Sequence, residues 1–588
     1  MSANNPPYGQ DPERTTAYRW NPDQQQPGNP PTMPMTHGQP YPPQQPSQGQ
    51  QQPQYGQPQQ AQYGQQPQYG QQQPQYGQQA QYGQQPQYGQ AEQLGWQQQA
   101  SGGSGGHAKK GGRKSWLIAI IAAVAVLVLG GGAYVVVGAI GGGGTQPQDV
   151  LPANAFAYVR LDLDPAANQK LALFQLGRKF SETKDFFKGE DPRQALFDAA
   201  KSDSDDIGKL DFARDVDPWL GSRIGLAVLP GKSIDEPNFA VAVQVKDEEQ
   251  AKAGIKKLMG SEKYGIAFRD DYALLTTTQA QADQYAQAEG SLADNSDFSD
   301  DLSALGEQGV LSFWANIGQA AELGKSTMSA DELKMFEQYK KSRFVGALRF
   351  DSAYVELAGV LRGAEGLVDG DLEPAKLETL PASTAGALSV SGLDQMITKQ
   401  WAKIEETAKS TPAGAQFQQF IDQAKTQYGL QLPDDLAALV GKNLTVAVDS
   451  EGLDGDTPKA GVRIVTDPAK AQAVVDKVTK AFTSGGQPAP QIAKVPGDGS
   501  LTVATTDEYA KKLAEAGTLG DSETFKTAIP DAGAATCGLF DDLDQVEKYY
   551  LQTMQGEDKA NAEKLKAVGL SGKQTGSEAT FSLRVLFD

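Results

Sequence analysis

Cysteine and histidine are nearly absent from this chain of 588 residues. The only cysteine is Cys537, so no intramolecular disulfide can form, and we expect it to be a buried strand residue rather than a reactive thiol. Both histidines, His37 and His107, precede an apolar run at 116–140, so the larger region after that run has none. This excludes histidine-ligated zinc and every nucleophile that depends on a histidine base from the larger region.

Motifs for nucleophilic or nucleotide chemistry are also lacking. The sequence GKST at 324–327 resembles a phosphate-binding loop, but Gly318 is one residue too far away for the required spacing. The sequence SETK at 181–184 has a Ser-x-x-Lys spacing without the other elements of penicillin-recognising enzymes. We therefore predict no catalytic residues, no cofactor and no enzymatic activity.

Basic residues are outnumbered throughout the larger region. The whole chain has 52 Lys and Arg against 72 Asp and Glu, and the part after residue 140 has 46 against 68, a net charge of -22. Such a charge disfavours nucleic acid as a partner. Two acidic loops, at 203–206 and 449–456, could supply part of a calcium shell, but neither matches a calcium-loop pattern. We predict solvated hairpin tips and no metal site.

The run at 116–140 contains twenty-five residues without a charge and predicts a transmembrane helix at 115–140. A helix of that length reaches roughly 37 Å, enough to cross a hydrocarbon core of about 30 Å. About a hundred residues precede it, which favours an uncleaved signal-anchor over a cleavable signal peptide. The basic residues at 109–114 predict a cytoplasmic N-terminus, so residues after 140 would be extracellular in a single-pass cell-membrane protein.

Residues 1–114 are rich in Gln, Pro, Tyr and Gly and have too few aliphatic side chains to form a core. They predict a disordered, low-complexity cytoplasmic tail, followed after the membrane by a linker at 141–149. A short unit, PQYGQ or AQYGQ, recurs in the tail. The tail is either a solvated tether or a segment that self-associates through its tyrosines.

The region after the linker contains an internal duplication. GSRIGLAV at 221–228 and GKNLTVAV at 441–448 are 220 positions apart, and the same offset relates FAVAVQVKD, which ends at Asp247, to KAGVRIVTD, which ends at Asp467. In each copy this aspartate stands where a helix cap is needed. We predict two α+β repeats, 150–370 and 371–588, with largely antiparallel sheets.

The first strand of this region is predicted by a regular alternation over 155–164. Ala157, Val159 and Leu161 lie on one side, whereas Tyr158, Arg160 and Asp162 lie on the other. This pattern is typical of a strand that buries one face only.

The opening of the first repeat, LPANAFAYVRLDLDPAANQK from residue 151, resembles the start of an uncharacterised bacterial family, the domain-of-unknown-function family 3352. The tail followed by one membrane segment is similar to its actinobacterial members. The resemblance implies an envelope setting and supplies no activity or site residues.

These observations favour a membrane-anchored extracytoplasmic module that binds a partner or plays a scaffold role in the cell envelope. The alternative is a carboxylate-dependent hydrolase acting on cell-wall glycan, which would need two carboxylates in an aromatic cleft. Only Trp219, Trp314 and Trp401 follow the apolar run, which is thin support for a sugar cleft. A third hypothesis makes the cytoplasmic tail the working part, with the exterior as a sensor. The partner and the oligomeric state are open.

Overall fold

The computed structural model describes residues 144–588 with short gaps. The gaps are 182–183, 185–190, 204–208, 329–332, 334–335, 338, 365, 367, 411–413, 454–456 and 485–491. The predicted tail and the predicted transmembrane helix lie outside the described residues. Within the described part, no helix combines the length and the apolar character needed to cross a membrane.

The first half of the described chain builds strands β1–β8 and helices α1–α7. The strands are β1 (Ala157–Asp162), β2 (Leu220–Ser233), β3 (Glu236–Val245), β4 (Gly265–Arg269), β5 (Tyr272–Thr276), β6 (Leu311–Asn316), β7 (Arg343–Phe350) and β8 (Tyr354–Arg362). The helices are α1 (Pro147–Val150), α2 (Ala167–Gly177), α3 (Pro192–Asp203), α4 (Glu248–Met259), α5 (Gln279–Ala286), α6 (Ser296–Leu305) and α7 (Ile317–Gly324).

The second half builds strands β9–β16 and helices α8–α15. The strands are β9 (Thr384–Ser391), β10 (Asn443–Asp449), β11 (Ala460–Val465), β12 (Ala493–Gly497), β13 (Ser500–Ala504), β14 (Cys537–Asp542), β15 (Leu565–Gln574) and β16 (Glu578–Phe587). The helices are α8 (Leu393–Ser410), α9 (Gly414–Gln427), α10 (Asp434–Val440), α11 (Pro468–Ser484), α12 (Asp507–Ala514), α13 (Glu523–Ala528), α14 (Leu543–Tyr550) and α15 (Gly556–Ala562).

All sixteen strands of the described chain belong to one antiparallel sheet. Its order is β12-β13-β11-β10-β9-β14-β15-β16-β8-β7-β6-β1-β2-β3-β5-β4. Read outward from the centre, β8-β7-β6-β1-β2-β3-β5-β4 has the same order as β16-β15-β14-β9-β10-β11-β13-β12. The prediction of a duplicated α+β fold with antiparallel strands is therefore confirmed. The two repeats meet at a seam, the antiparallel pairing of β8 with β16 from Arg362 with Glu578 to Tyr354 with Leu586.

Local signals in the two copies produce matching elements. The side chain of Asp247 accepts a hydrogen bond from the Gln250 backbone N–H at 2.8 Å and caps α4. Asp467 accepts from the backbone N–H groups of Ala469 and Lys470 at 3.0 and 3.2 Å at the start of α11. These caps satisfy amide groups that have no partner within the helix.

The sheet has two faces, which we name by their residues in the first repeat. Face A carries Tyr158, Ala240 and Trp314 of β6, which pack with Phe298 of α6. Face B carries Leu161, which packs under α2, and Val243, which belongs to a cluster with residues of α3 and α4. Both faces of the first repeat therefore form a hydrophobic core.

Candidate functional site

The prediction that β1 buries only its aliphatic face is wrong. Tyr158, Arg160 and Asp162 on face A are only 1, 6 and 3% exposed. The segment before β1 covers them: the Tyr158 hydroxyl donates to Gln148 Oε1 at 2.7 Å, and Arg160 Nε donates to Gln146 Oε1 at 3.2 Å. Residues 146–149, expected to be part of a flexible linker, are therefore packed in the fold.

Three buried charges lie together on this covered face. Arg160 and Asp162 form an ion pair, and Arg223 Nε approaches Asp162 Oδ2 at 3.4 Å from the neighbouring strand. Asp162 Oδ1 also accepts from the Asp164 backbone N–H at 2.9 Å, and Arg160 Nη1 donates to the Gly309 carbonyl at 3.3 Å. Two guanidinium groups thus share one carboxylate, an arrangement whose desolvation is costly unless every contact is kept.

The second repeat has a neutral network at the equivalent positions. Ser389, Ser391 and Asn443 replace Arg160, Asp162 and Arg223. Asn443 Nδ2 donates to the hydroxyls of Ser389 and Ser391, both at 2.9 Å. The same fold therefore forms without the charges, so their presence in the first repeat is not a requirement of the sheet. A position-by-position comparison of the two copies was the sequence signal that could have found this cluster.

A cleft of about 430 Å³ opens next to the charge cluster, at the sheet edge where β1 ends and β2 begins. Its walls combine both signs of charge with small polar groups. They are formed by Leu163, Asp164, Asp191, Pro192, Arg193, Gly221, Ser222, Gln244, Val245 and Lys246. These residues share no signal in the sequence, because four separate chain segments contribute them.

The cations of the cleft are held by carboxylates. Arg193 Nη2 contacts Asp217 Oδ1 at 2.6 Å, its Nε donates to Asp191 Oδ1 at 3.0 Å, and its Nη1 donates to the Leu220 carbonyl at 2.8 Å. Lys246 Nζ contacts the same Asp217 Oδ1 at 3.0 Å. Both side chains are therefore positioned before any ligand arrives.

The ion pairs shift the pKa values of Arg193 and Asp217. Burial lowers the pKa of Arg193, but its hydrogen bond to Asp191 and the charges of Asp191 and Asp217 outweigh burial and raise the pKa overall. Burial raises the pKa of Asp217, but the hydrogen bond from Lys246 and the charges of Arg193 and Lys246 outweigh burial and lower the pKa overall. The cleft keeps these groups charged, which suits binding of a polar ligand better than proton transfer near neutral pH.

One Lys–Asp ion pair is present in both repeats, at positions 220 residues apart. Lys257 contacts Asp215 and Lys477 contacts Asp435, both at 2.8 Å. Hydrogen bonds from Arg214 and then Lys257 lower the pKa of Asp215. Burial raises the pKa of Asp435, but the hydrogen bond from Lys477 and a backbone donor outweigh it, so that the net shift is downward. The pair is a shared structural feature of the repeats.

The motif at 324–327 has no phosphate-loop geometry. Gly318 and Gly324 both lie in helix α7, and residues 325–327 form a 3-10 turn that continues it. A phosphate loop needs a strand before a glycine-rich turn and a helix after it. Residues 182–183 of the SETK motif lie outside the described residues.

The acidic loop that begins at Asp449 is not a solvated tip at its start. Asp449 is fully buried; it accepts from Ser383 Oγ at 2.8 Å and contacts Lys512 Nζ at 3.0 Å. Residues 454–456 and 204–208 of the two acidic loops lie outside the described residues. Across the described ranges, no group of three or more His, Cys, Asp or Glu side chains is arranged to hold a metal ion.

Two carboxyl groups with a raised pKa lie away from the cleft, in the second repeat. Burial is the main cause for both Asp541 and Asp544, and the charges of Asp542 and Asp588 respectively add to it. They lie at the end of β14 and the start of α14. Cys537 begins the same strand, is partly buried, and has a pKa raised by burial.

Comparison with known proteins gives one finding. No curated protein and no solved structure matches the chain. The family model described as "Protein of unknown function (DUF3352)" matches residues 118–273 and 259–525, which confirms the resemblance of the opening segment. The two matches together cover more than half of the sequence and fall largely on the two repeats, so the chain belongs to the DUF3352 family.

Proposed function

We propose that this chain is a single-pass membrane protein whose duplicated exterior region is a non-catalytic binding or scaffold module of the cell envelope. The apolar run at 116–140 and the basic residues before it support the anchor and a cytoplasmic N-terminus. The actinobacterial setting stays a prediction.

The scaffold part of the proposal is supported by the seam. Because β8 pairs with β16, the repeats share one sheet instead of hanging from a flexible joint. Sixteen strands at a spacing of about 4.8 Å give a platform of roughly 70 Å measured along the sheet. Such a platform holds sites on the two repeats at a fixed separation.

The single observation that carries the binding role is the cleft with its immobilised charges. Arg193 and Lys246 are already fixed by Asp191 and Asp217, so a polar ligand meets a preorganised surface and little side-chain entropy is lost. The chemistry that fits is a polar ligand carrying both donors and acceptors.

A labelling experiment tests the topology. In a Cys537→Ser background, Lys256→Cys places an exposed thiol on α4, and Ser101→Cys places one in the tail. We expect a membrane-impermeant maleimide to label intact cells at position 256 and not at position 101. Labelling at position 101 alone would show the opposite topology, with the tail outside the cell.

Site-specific photocrosslinking tests the binding role. A photoreactive residue at Gln244, in the cleft, is compared with one at Lys256, an exposed position of the same repeat outside the cleft. We expect a discrete crosslinked species at 244 only, and we expect Arg193→Glu to abolish it. Equal crosslinking at both positions, or none at 244, would refute a binding role for the cleft.

The hydrolase is retained as a second candidate because Asp541 and Asp544 have a raised pKa, a property of general acids. The test is incubation of the purified full chain with cell-wall glycan, followed by mass spectrometry of soluble products. Our proposal expects no products. If products form and are lost in Asp541→Asn, the chain is a hydrolase and the binding proposal is wrong.

A further inference from the structure

Face B of the second repeat carries apolar side chains in contact with solvent. Leu388 on β9 and Val446 on β10 are directly paired and are 45 and 38% exposed. Together Leu388 and Val446 form an exposed apolar patch, which we call the β9–β10 patch. A patch of this kind is a common mark of an interaction site.

The first repeat shows what covers this position of the fold. Val159 and Leu226, directly paired on β1 and β2, are the equivalents of Leu388 and Val446. Leu226 is only 7% exposed and shares a cluster with Phe197 of α3, and Val159 also packs against the cluster that includes Leu173 of α2. The covering helices α2 and α3 both belong to the connection between β1 and β2.

The corresponding connection of the second repeat, between β9 and β10, forms the pair α8 and α9. Their rings meet at Trp401 and Phe417, with centroids 6.3 Å apart, and α8 packs against α10. Three of their apolar side chains remain at the surface: Met396 (46% exposed), Ile404 (40%) and Phe420 (59%). Both halves of a contact that the first repeat makes internally are thus on the surface of the second repeat.

We propose that the α8–α9 pair of one chain packs on the β9–β10 patch of a second copy, and that the exchange is reciprocal. Because each copy carries both surfaces, the two contacts are identical and related by a twofold axis, which closes the assembly as a dimer. The interaction reuses in trans the contact that α2 and α3 make in cis.

Charge supports a second copy as the occupant. Residues 393–427 contain four lysines (399, 403, 409 and 425) and four acidic residues (394, 405, 406 and 422), so this segment has no net charge. The region after residue 140 as a whole has a net charge of -22. A segment without net charge in a strongly acidic molecule is a place where two copies can approach with little repulsion.

The strand directions argue against the bilayer as the occupant. β1 and β9 are separated by seven antiparallel steps in the sheet, so they run in opposite directions. Gly144 lies beside the Arg223 guanidinium, at the edge where β1 ends, whereas α8 begins at the opposite edge, where β9 ends. The described chain therefore begins at one edge of the sheet, and α8 begins at the other. The inference stands independently of the proposed topology.

Cysteine crosslinking between two differently tagged full-length chains tests the proposal, again with Cys537→Ser. One chain carries Leu388→Cys and the other Phe420→Cys, and the mixture is oxidised in detergent micelles. We expect a covalent dimer that contains both tags. The matched control replaces Phe420→Cys by Leu171→Cys, an apolar position of α2 that is 53% exposed, and no dimer is expected.

A second measurement uses sedimentation of the full chain. Ile404→Ser together with Phe420→Ser is expected to weaken dimerisation roughly tenfold or more, because two apolar side chains would lose their burial. A chain carrying both Leu388→Cys and Phe420→Cys that closes within itself, with no crosslink in the mixture, would show that the helices cover their own sheet and would overturn the proposal. A monomer without crosslinks would overturn it as well.

Discussion

Asp162→Asn tests how the buried charges of the first repeat are balanced. Asp162 is 3% exposed and contacts both Arg160 and Arg223. The substitution keeps the size of the side chain and removes its charge, so two buried guanidinium groups lose their counter-ion.

The expected loss of stability is large. Removing one partner of a buried ion pair costs about 3–5 kcal/mol, against a total of about 5–15 kcal/mol for a typical domain. The second repeat supplies the comparison, since it builds the same sheet with Ser389, Ser391 and Asn443 at these positions. The triple variant Arg160→Ser, Asp162→Ser and Arg223→Asn copies that neutral network. We expect it to be more stable than Asp162→Asn, although it changes three residues instead of one.

Native-state hydrogen exchange read by mass spectrometry is the appropriate assay, because it reports each repeat separately in the full chain. Peptides from β1 are expected to lose protection in Asp162→Asn, while peptides from β9 serve as the internal reference. Ser391→Ala is the matched control and is expected to cost only about 1 kcal/mol, the value of an ordinary hydrogen bond. The reasoning is refuted if the free energy of unfolding of Asp162→Asn is within about 1 kcal/mol of the wild-type value, the cost of an ordinary hydrogen bond, or if Asp162→Asn is more stable than the triple variant.

Three further predictions concern packing and pH. A Cβ atom at Gly254 would meet Trp219 Nε1 at 1.9 Å, so Gly254→Val should destabilise the first repeat by about 1–3 kcal/mol in urea unfolding. Adding Trp219→Leu should restore part of this loss, because the second repeat has valine and leucine at the equivalent positions. Folding lowers the pKa values of Asp215 and Asp435, so the stability that their charged forms contribute is fully present above the unfolded pKa of about 3.9 and is lost as pH falls below it. Between pH 7 and pH 2, the melting temperature of Asp435→Asn should therefore fall less than that of the wild type. Asp541 has a raised pKa, so its charge destabilises the fold as pH rises, and Asp541→Asn should raise the melting temperature at pH 7 and leave it unchanged at pH 3.

The strands and the duplication could be predicted because they depend on local patterns. Alternation located β1, and the offset of 220 matched β2 with β10 and β3 with β11. The caps at Asp247 and Asp467 followed from the residue types that satisfy free amide groups.

Features that depend on distant contacts could not be predicted in this way. Alternation along β1 separates its two faces but does not show that a segment before the strand covers Arg160 and Asp162. The cleft joins Asp164, Arg193 and Lys246 from segments far apart in the chain. The seam depends on which two strands are left unpaired at the centre, and the sequences of β8 and β16 carry no short-range signal for that choice.

The seam also determines when the first repeat can be completed during synthesis. Arg362 of β8 and its partner Glu578 are 216 residues apart. Until that last strand emerges, β8 presents unpaired backbone groups along a sheet edge, a template for aberrant strand addition. The first repeat therefore keeps an open edge for the whole time needed to translate the second, and a premature stop before residue 578 would leave that edge open permanently.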